Sequence, residues 1–299
     1  MRHVPVLINE VIESLQLKPG KHIIDCTLGD AGHSERILQE IGSKGTLLGI
    51  DADPESLMRA KKFLHQYEEQ VILVRDNFVR LKEIVKEEKF GPVNGILMDY
   101  GWSSPQFEER GRGFTFLKDE PLDMRYGGKG TTAAELINSS EPEELGKIFK
   151  EYGEEKLSKE VVHKIIAYRK EKTIERTGEL VELVLQAYRE KLKTDKKIPW
   201  IGGLHPATKV FQAIRIAVND ELGVIEKVLP QAIDVLQPGG RLAVITFHSL
   251  EDRIVKHYFK ERVSKDITII SKKPIVASKE EFDSNPRARS AKLRVVEKK

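Results

Sequence analysis

Three groups of residues have the types and spacing to do chemistry together. The first is "DCTLGDAGHSERIL" (25–38), where small and turn-forming residues separate an apolar stretch from a helical one. Gly29, Ala31 and Gly32 let the backbone approach a ligand, and a helix opening behind them presents N–H groups without intrahelical partners. The second is Asp51, about 20 residues further on, where an acid at a strand end accepts hydrogen bonds from a ribose diol. Turn and acid point to an adenosine-bearing cofactor and leave its identity open. The stretch from Thr27 to Gly32 comes near the dinucleotide pattern G-x-G-x-x-G, with Thr27 for the first glycine, and fits the looser methyltransferase turn as well.

The third group lies in "LMDYGWSSPQFEERGRGFTF" (97–116), which sets the carboxylate of Asp99 beside Tyr100, Trp102 and Phe107. Methyl transfer needs a nucleophile in line with a sulfonium, next to an acceptor for the departing proton. Asp99 suits the acceptor, and the aromatic rings could wall in a flat base. A dehydrogenase has no evident need of such a segment. "RDNFVRL" (75–81) adds Asp76, Asn77 and Phe78, suited to an adenine's polar edge and face.

The elements that must position these groups alternate. "HIIDCTL" (22–28), "GTLLGID" (45–51), "VILVRD" (71–76) and "NGILMDY" (94–100) read as buried parallel strands, with helical patterns between them. Pro54 suits the first turn of its helix. From about Ser104 to Thr208 the rhythm stops and helical patterns follow one another. It resumes with a helix from about Ala207, a turn at "QPGG", the strand "RLAVITF" (241–247), a helix, and the closing strands "ITIIS" and "KLRVVE". The expected architecture is α/β: a doubly wound, mostly parallel sheet, formed by 1–104 and 208–299, with a helical domain of residues 105–207 inserted after the fourth strand.

Composition sets bounds. The 299 residues carry a net charge of +3, with 39% hydrophobic and 32% charged residues, so charge alone does not announce a nucleic-acid partner. The single cysteine, Cys26, lies in an apolar run, excludes an internal disulfide and suits a reducing compartment. No signal-type apolar core or stretch of about 18 apolar residues is present, so a soluble, cytoplasmic protein without a membrane partner is expected. No His/Cys cluster has metal-ligand spacing, and His163 and His257 read as helix-surface residues, so no metal is expected.

Eight stretches, from "HVPVLINEV" (3–11), "DCTLGDAGHS" (25–34) and "GIDADP" (49–54) through "SSPQFEERGRGFTF" (103–116), "PLDMRYG" (121–127) and "HPATKVFQAIRIAVNDEL" (205–222) to "FHSLEDRIVK" (247–256) and "NPRARSAKLR" (285–294), resemble the bacterial MraW/RsmH family of small-subunit ribosomal RNA cytosine-N4 methyltransferases. The resemblance implies S-adenosylmethionine as donor. It implies as acceptor a cytidine in the decoding region of small-subunit rRNA, within the small ribosomal subunit. It places the cofactor at Ala31, Gly32, His33, Asp51, Phe78, Asp99 and Gln106. Ala31 stands where many members have glycine, so a methyl group must fit near the ligand, and "DYGWSSPQ" replaces the common "DLGVSSPQ". A catalytic role for Asp99 is our inference from chemistry, since the family does not settle the base.

For RNA, basic segments flank the expected crevice: Arg110, Arg112 and Arg125 after the fourth strand, and Arg287, Arg289, Lys292 and Arg294 near the end. Tyr100 and Trp102 are expected at the base. His205, Lys209, Gln212, Arg215 and Asn219 recur at helical spacing, as a polar stripe that faces substrate or joins the domains. The rival readings are a nicotinamide-dependent oxidoreductase and a non-catalytic assembly factor that binds S-adenosylmethionine. Oligomeric state is not legible.

Overall fold

The computed structural model describes residues 4–101, 111–196, 198, 200 and 203–299. Two compact units divide the chain, Met1–Ser103 with Leu222–Lys299, and Ser104–Glu221.

The first unit is built on a seven-stranded sheet. Its strands are β1 (His22–Asp25), β2 (Thr46–Asp51), β3 (Val71–Arg75), β4 (Val93–Asp99), β5 (Leu236–Thr246), β6 (Ile267–Ile269) and β7 (Lys292–Lys298), in the order β3-β2-β1-β4-β5-β7-β6. All pairings from β3 to β5 are parallel, and β7 runs antiparallel between β5 and β6. Successive strand residues point to opposite faces, which divides the core in two. Ile24, Leu48 and Ile96 join Val228, Leu229, Val255 and Phe259 on one face. Ile23, Leu47 and Leu97 join Val11, Ile37, Leu38 and Ala60 on the other. Because both faces are covered, the central strands read as continuous apolar runs. β3 departs from the expectation of a buried strand: it is the sheet's edge and none of its residues is buried.

The helices of this unit's first segment include α1 (Ile8–Leu15), α2 (Gly32–Ile41), α3 (Pro54–Phe63) and α4 (Leu81–Glu87). α3 opens as its sequence predicts, with Pro54 in the first turn and the Asp53 carboxylate accepting the N–H groups of Glu55 and Ser56.

The second unit holds α5 (Ala133–Ser139), α6 (Pro142–Glu151), α7 (Ser158–Arg169), α8 (Thr177–Leu192) and α9 (Thr208–Asn219). α5 starts with a capping box in which Thr132 and Glu135 satisfy each other's backbone N–H. Phe149, Leu145, Ile165, Leu180, Val184 and Ile214 are buried. The boundary differs from the expected 207/208: α9 goes with this unit, because it packs on α5 and α6. After it, α10 (Glu221–Val235), α11 (Ser249–Arg262) and α12 (Lys279–Ser284) complete the chain. Among the described residues no helix is long and apolar enough to cross a membrane.

Candidate active site

Strand order reverses at β1, which lies between β2 and β4, so the carboxyl ends of these three strands form the crevice where an open α/β sheet takes its ligand. The loop leaving β1 is held from below by Asp25, which is almost fully buried. Its carboxylate accepts the N–H of Thr27 at 3.1 Å and the hydroxyl of Ser34 at 2.7 Å, tying the loop to the first turn of α2. Burial raises the Asp25 carboxyl above its ordinary range, against those bonds. Thr27 in turn accepts the backbone N–H of Asp99 at 2.7 Å, fastening β4 to the loop. Asp30 receives Arg59 of α3 at 2.8 Å.

Gly29 and Ala31 are both left-handed, with φ of 51° and 59°. Glycine adopts this freely; an alanine does so at a cost of about 1–2 kcal/mol. The Ala31 methyl was expected to fit near the ligand. It is fully buried, in a core cluster with Leu28 and Ile37. Gly32 also has a reason other than a ligand: a Cβ there would lie 2.4 Å from Cγ of Pro5.

At the end of β2, Asp51 accepts the N–H of Gly29 at 2.9 Å and of Asp53 at 2.8 Å, one on each oxygen. Each oxygen keeps a lone pair for a further donor. Burial pushes this carboxyl up to about 6, although both N–H groups oppose the shift. At the end of β4, one oxygen of Asp99 accepts the N–H of Gly101 at 2.9 Å, and the other lies 3.6 Å from Nδ1 of His33. Burial also pushes Asp99 up to about 6; His33 and Gly101 lower it, while Asp25 and Glu251 raise it. Gly101 allows this arrangement, since a Cβ would strike the Phe247 ring at 2.4 Å and an Asp99 oxygen at 2.8 Å.

Phe78 sits in a short turn after β3 whose start is shaped by Asp76, which accepts the Asn77 N–H, and by Asn77, which accepts the Val79 N–H. These two polar side chains shape the turn. The Phe78 ring stands 6.1 Å from that of Tyr100. Tyr100 packs against the core and points its hydroxyl at the sulfur of Met98, 3.2 Å away, and burial raises its phenol well above its usual value. Trp102, Gln106, Phe107 and Arg110 lie outside the described residues.

The polar residues assigned to RNA have partners within their own units. Arg125 clamps Asp123 through two nitrogens, at 2.7 and 2.8 Å, and reaches the carbonyl of Gly130. Arg112 donates to the carbonyl of Arg125. Arg215 makes a two-bond pair with Glu221, at 2.9 and 3.1 Å. Asn219 accepts the N–H of Tyr126 and donates to the carbonyls of Met124 and Arg215, stitching the 124–126 segment to α9. Lys209 and Gln212 donate to the carbonyls of Glu154 and Tyr152, so this part of the polar stripe joins helices of one unit. Arg294 is paired with Asp252 at 2.7 Å. Arg289 is exposed and lies over the Phe282 ring, and Arg287 is partly buried.

Sequence reasoning passed over Asp25 and Glu251, and read Thr27 only as a replacement for a glycine. Glu251 is buried, accepts the N–H of Phe247 at 2.7 Å and pairs with His248 at 3.0 Å. Its signal was present in "HSLE", a cap residue followed three positions later by glutamate. Asp25 was visible as an acid ending an apolar strand.

An antiparallel β7 slotted between β5 and β6 separates this sheet from the all-parallel dinucleotide-binding order, and with the small-residue loop and its two flanking acids it defines a Rossmann-like methyltransferase. The chain belongs to the MraW methylase family, whose sequence profile matches residues 1–299. It is 43% identical to "Ribosomal RNA small subunit methyltransferase H" of Clostridioides difficile (strain 630) and to the protein of that name from Heliobacterium modesticaldum, each match covering 99% of this chain and 98% of the relative. A solved rRNA methylase from Streptococcus thermophilus is similar at 10% identity and a TM-score of 0.46, with 99% of each chain covered. The nicotinamide alternative falls with the family assignment.

A methylase of this class takes its methyl group from S-adenosylmethionine, and the residues present fit that donor. A Cβ on Gly29 would meet nothing nearer than 3.9 Å, the first turn of α2 offers N–H groups, and Asp51 retains acceptor capacity toward a ribose.

Proposed function

We propose that this protein transfers the methyl group of S-adenosylmethionine to the exocyclic N4 of a cytidine in the decoding region of small-subunit rRNA, acting in the cytoplasm on the small ribosomal subunit. The observation that carries this reading is the part-buried Asp99 carboxylate at the end of β4, beside the loop that suits the donor. The names of the two relatives support the rRNA substrate.

The amino group of cytosine is a poor nucleophile because its lone pair is delocalised into the ring. An acceptor placed at its N–H favours the pyramidal form that reacts. In the transfer the S–C bond breaks as the N–C bond forms, and the amine then gives up one proton. Asp99 receives that proton in this reading, Asp51 binds the ribose, and Phe78 lies against the adenine. The base must leave its stack to react, and the aromatic residues of 100–107 replace part of the lost stacking. The inserted helical region, expected over residues 105–207, contributes RNA recognition through Arg112 and Arg125, and Arg287 and Arg289 of the C-terminal segment are further phosphate-facing candidates.

The test is incubation of small subunits with protein and methyl-labelled donor, followed by nucleoside mass analysis with chromatographic separation of the N4- and C5-methyl isomers. Label in N4-methylcytidine is expected. Label confined to another nucleoside, or donor binding without any transfer, overturns the reading.

A further inference from the structure

His33 occupies the first turn of α2 and is only 7% exposed. Its Nε2 lies 2.9 Å from the carbonyl oxygen of Val6. A backbone carbonyl can only accept, so Nε2 carries a proton and donates it. Nδ1 is then the nitrogen that faces Asp99, 3.6 Å from Oδ2. If Asp99 were ionised and His33 neutral, a nitrogen lone pair would face a carboxylate oxygen in a buried place, with no proton between them. One proton removes the conflict, on either side.

The surroundings direct that proton to this pair. Oδ1 of Asp99 already holds the Gly101 N–H, and the Asp99 N–H is taken by Thr27. The other titratable groups acting on Asp99 are Asp25 on β1 and Glu251 on α11, both acidic. Both favour a positive charge or a proton nearby, and His33 is the basic group among these partners.

We propose that the facing pair of His33 and Asp99 carries one proton between its two members, on one or the other, and that His33 is a positioning residue which sets the protonation and direction of the Asp99 carboxylate. The proposal rests on the reading of Asp99 as proton acceptor and adds how it accepts. When the reacting amine releases its proton to Oδ2, the proton the pair already carries resides on Nδ1, leaving a carboxylic acid and an imidazolium. The net charge of the site is unchanged: one positive charge disappears as the S–C bond breaks and one appears on the pair.

The test reads the unliganded protein first. Aspartate labelled with carbon-13 at Cγ, with the Asp99 signal assigned by its absence in Asp99→Asn, is titrated by NMR in wild type and in His33→Gln. Loss of His33 is expected to raise the Asp99 midpoint by about one pH unit or more; an unmoved midpoint overturns the proposal. Should His33→Gln fail to fold, nitrogen-15 imidazole spectra of wild type and Asp99→Asn decide instead. The His33 ring signals are expected to change at neutral pH, and identical spectra overturn the pairing. With small subunits and labelled donor, the acid limb of the single-turnover rate should move upward with the Asp99 midpoint in His33→Gln. Absence of any methylation by wild type would count against the proposed function, while the titration would still decide the pair.

Discussion

Asp51 and Asp99 end the two strands that flank β1, and both are carboxyls that burial pushes up to about 6. Their bonds differ. Asp51 holds two loop N–H groups, so Asp51→Ala removes a ribose acceptor together with a loop anchor. S-adenosylmethionine affinity should fall by about 1.5–3 kcal/mol, the range for hydrogen bonds to a charged group. Calorimetry on the folded variant checks this, and unchanged affinity would refute the ribose assignment. Asp99→Asn keeps the acceptor for Gly101 and places an amide toward His33. At saturating donor, single turnover on small subunits should drop on the order of 10²–10⁴-fold; weakened donor binding with a normal rate would remove Asp99 from the chemistry. Its stability effect has a definite sign. The folded state holds the Asp99 proton more tightly than the unfolded chain, so this group's contribution is full below about pH 4 and is lost as pH rises through about 6. Asp99→Asn should therefore exceed wild type in stability by about 2–3 kcal/mol at pH 8, because each pH unit between the folded and unfolded midpoints is worth about 1.36 kcal/mol. The gap should close toward pH 4. Urea unfolding at both values tests this, and a gap independent of pH would contradict it.

Among elements, α2 has a start that is constrained from outside the helix. A Cβ on Gly32 would strike the Pro5 ring, and Ser34 and His33 in the same turn reach Asp25 and Val6. Gly32→Ala should therefore cost stability through overpacking, about 1–3 kcal/mol. Part of that loss should return in the double variant with Pro5→Ala, which removes the offending Cγ. Equal losses in the two backgrounds, measured by chemical denaturation, would show that the alanine strikes something else. A ligand-blocking account of Gly32 would instead leave stability intact and abolish donor binding alone.

At the scale of the whole molecule, the insertion is a continuous segment with its own core around Phe149, Ile165, Leu180 and Ile214. A chain of residues 104–221 should fold by itself, with a cooperative thermal transition in far-UV circular dichroism. A gradual, featureless melt would mean that it depends on the sheet unit. For RNA, the more exposed position of Arg289 makes it the better phosphate candidate of the C-terminal pair. Arg289→Ala should flatten the salt dependence of RNA-substrate binding by about one unit of slope, as loss of one phosphate contact would. An unaltered slope would confine Arg289 to its packing on Phe282.

The order of strands and helices was legible in the sequence because it is a local property: runs such as "TLLGID" and helical spacing such as "ESLMRAKKF" encode which faces must leave water. Family membership was legible for the same reason, since its motifs are contiguous. Asp51 and Asp99 could be placed at strand ends on local grounds alone. Tertiary structure decided what each polar atom meets. Strand order brings Thr27 to the backbone of Asp99, 72 positions away, and Val6 to the ring of His33, 27 away. It makes β3 an edge, gives α9 to the helical unit, sets Pro5 against Gly32, and supplies Arg125, Arg215 and Asn219 with partners inside the fold. An apolar side chain needs only burial, which periodicity reveals. A polar one needs a particular partner at hydrogen-bond distance, and that partner is chosen by the packing of segments remote in the chain.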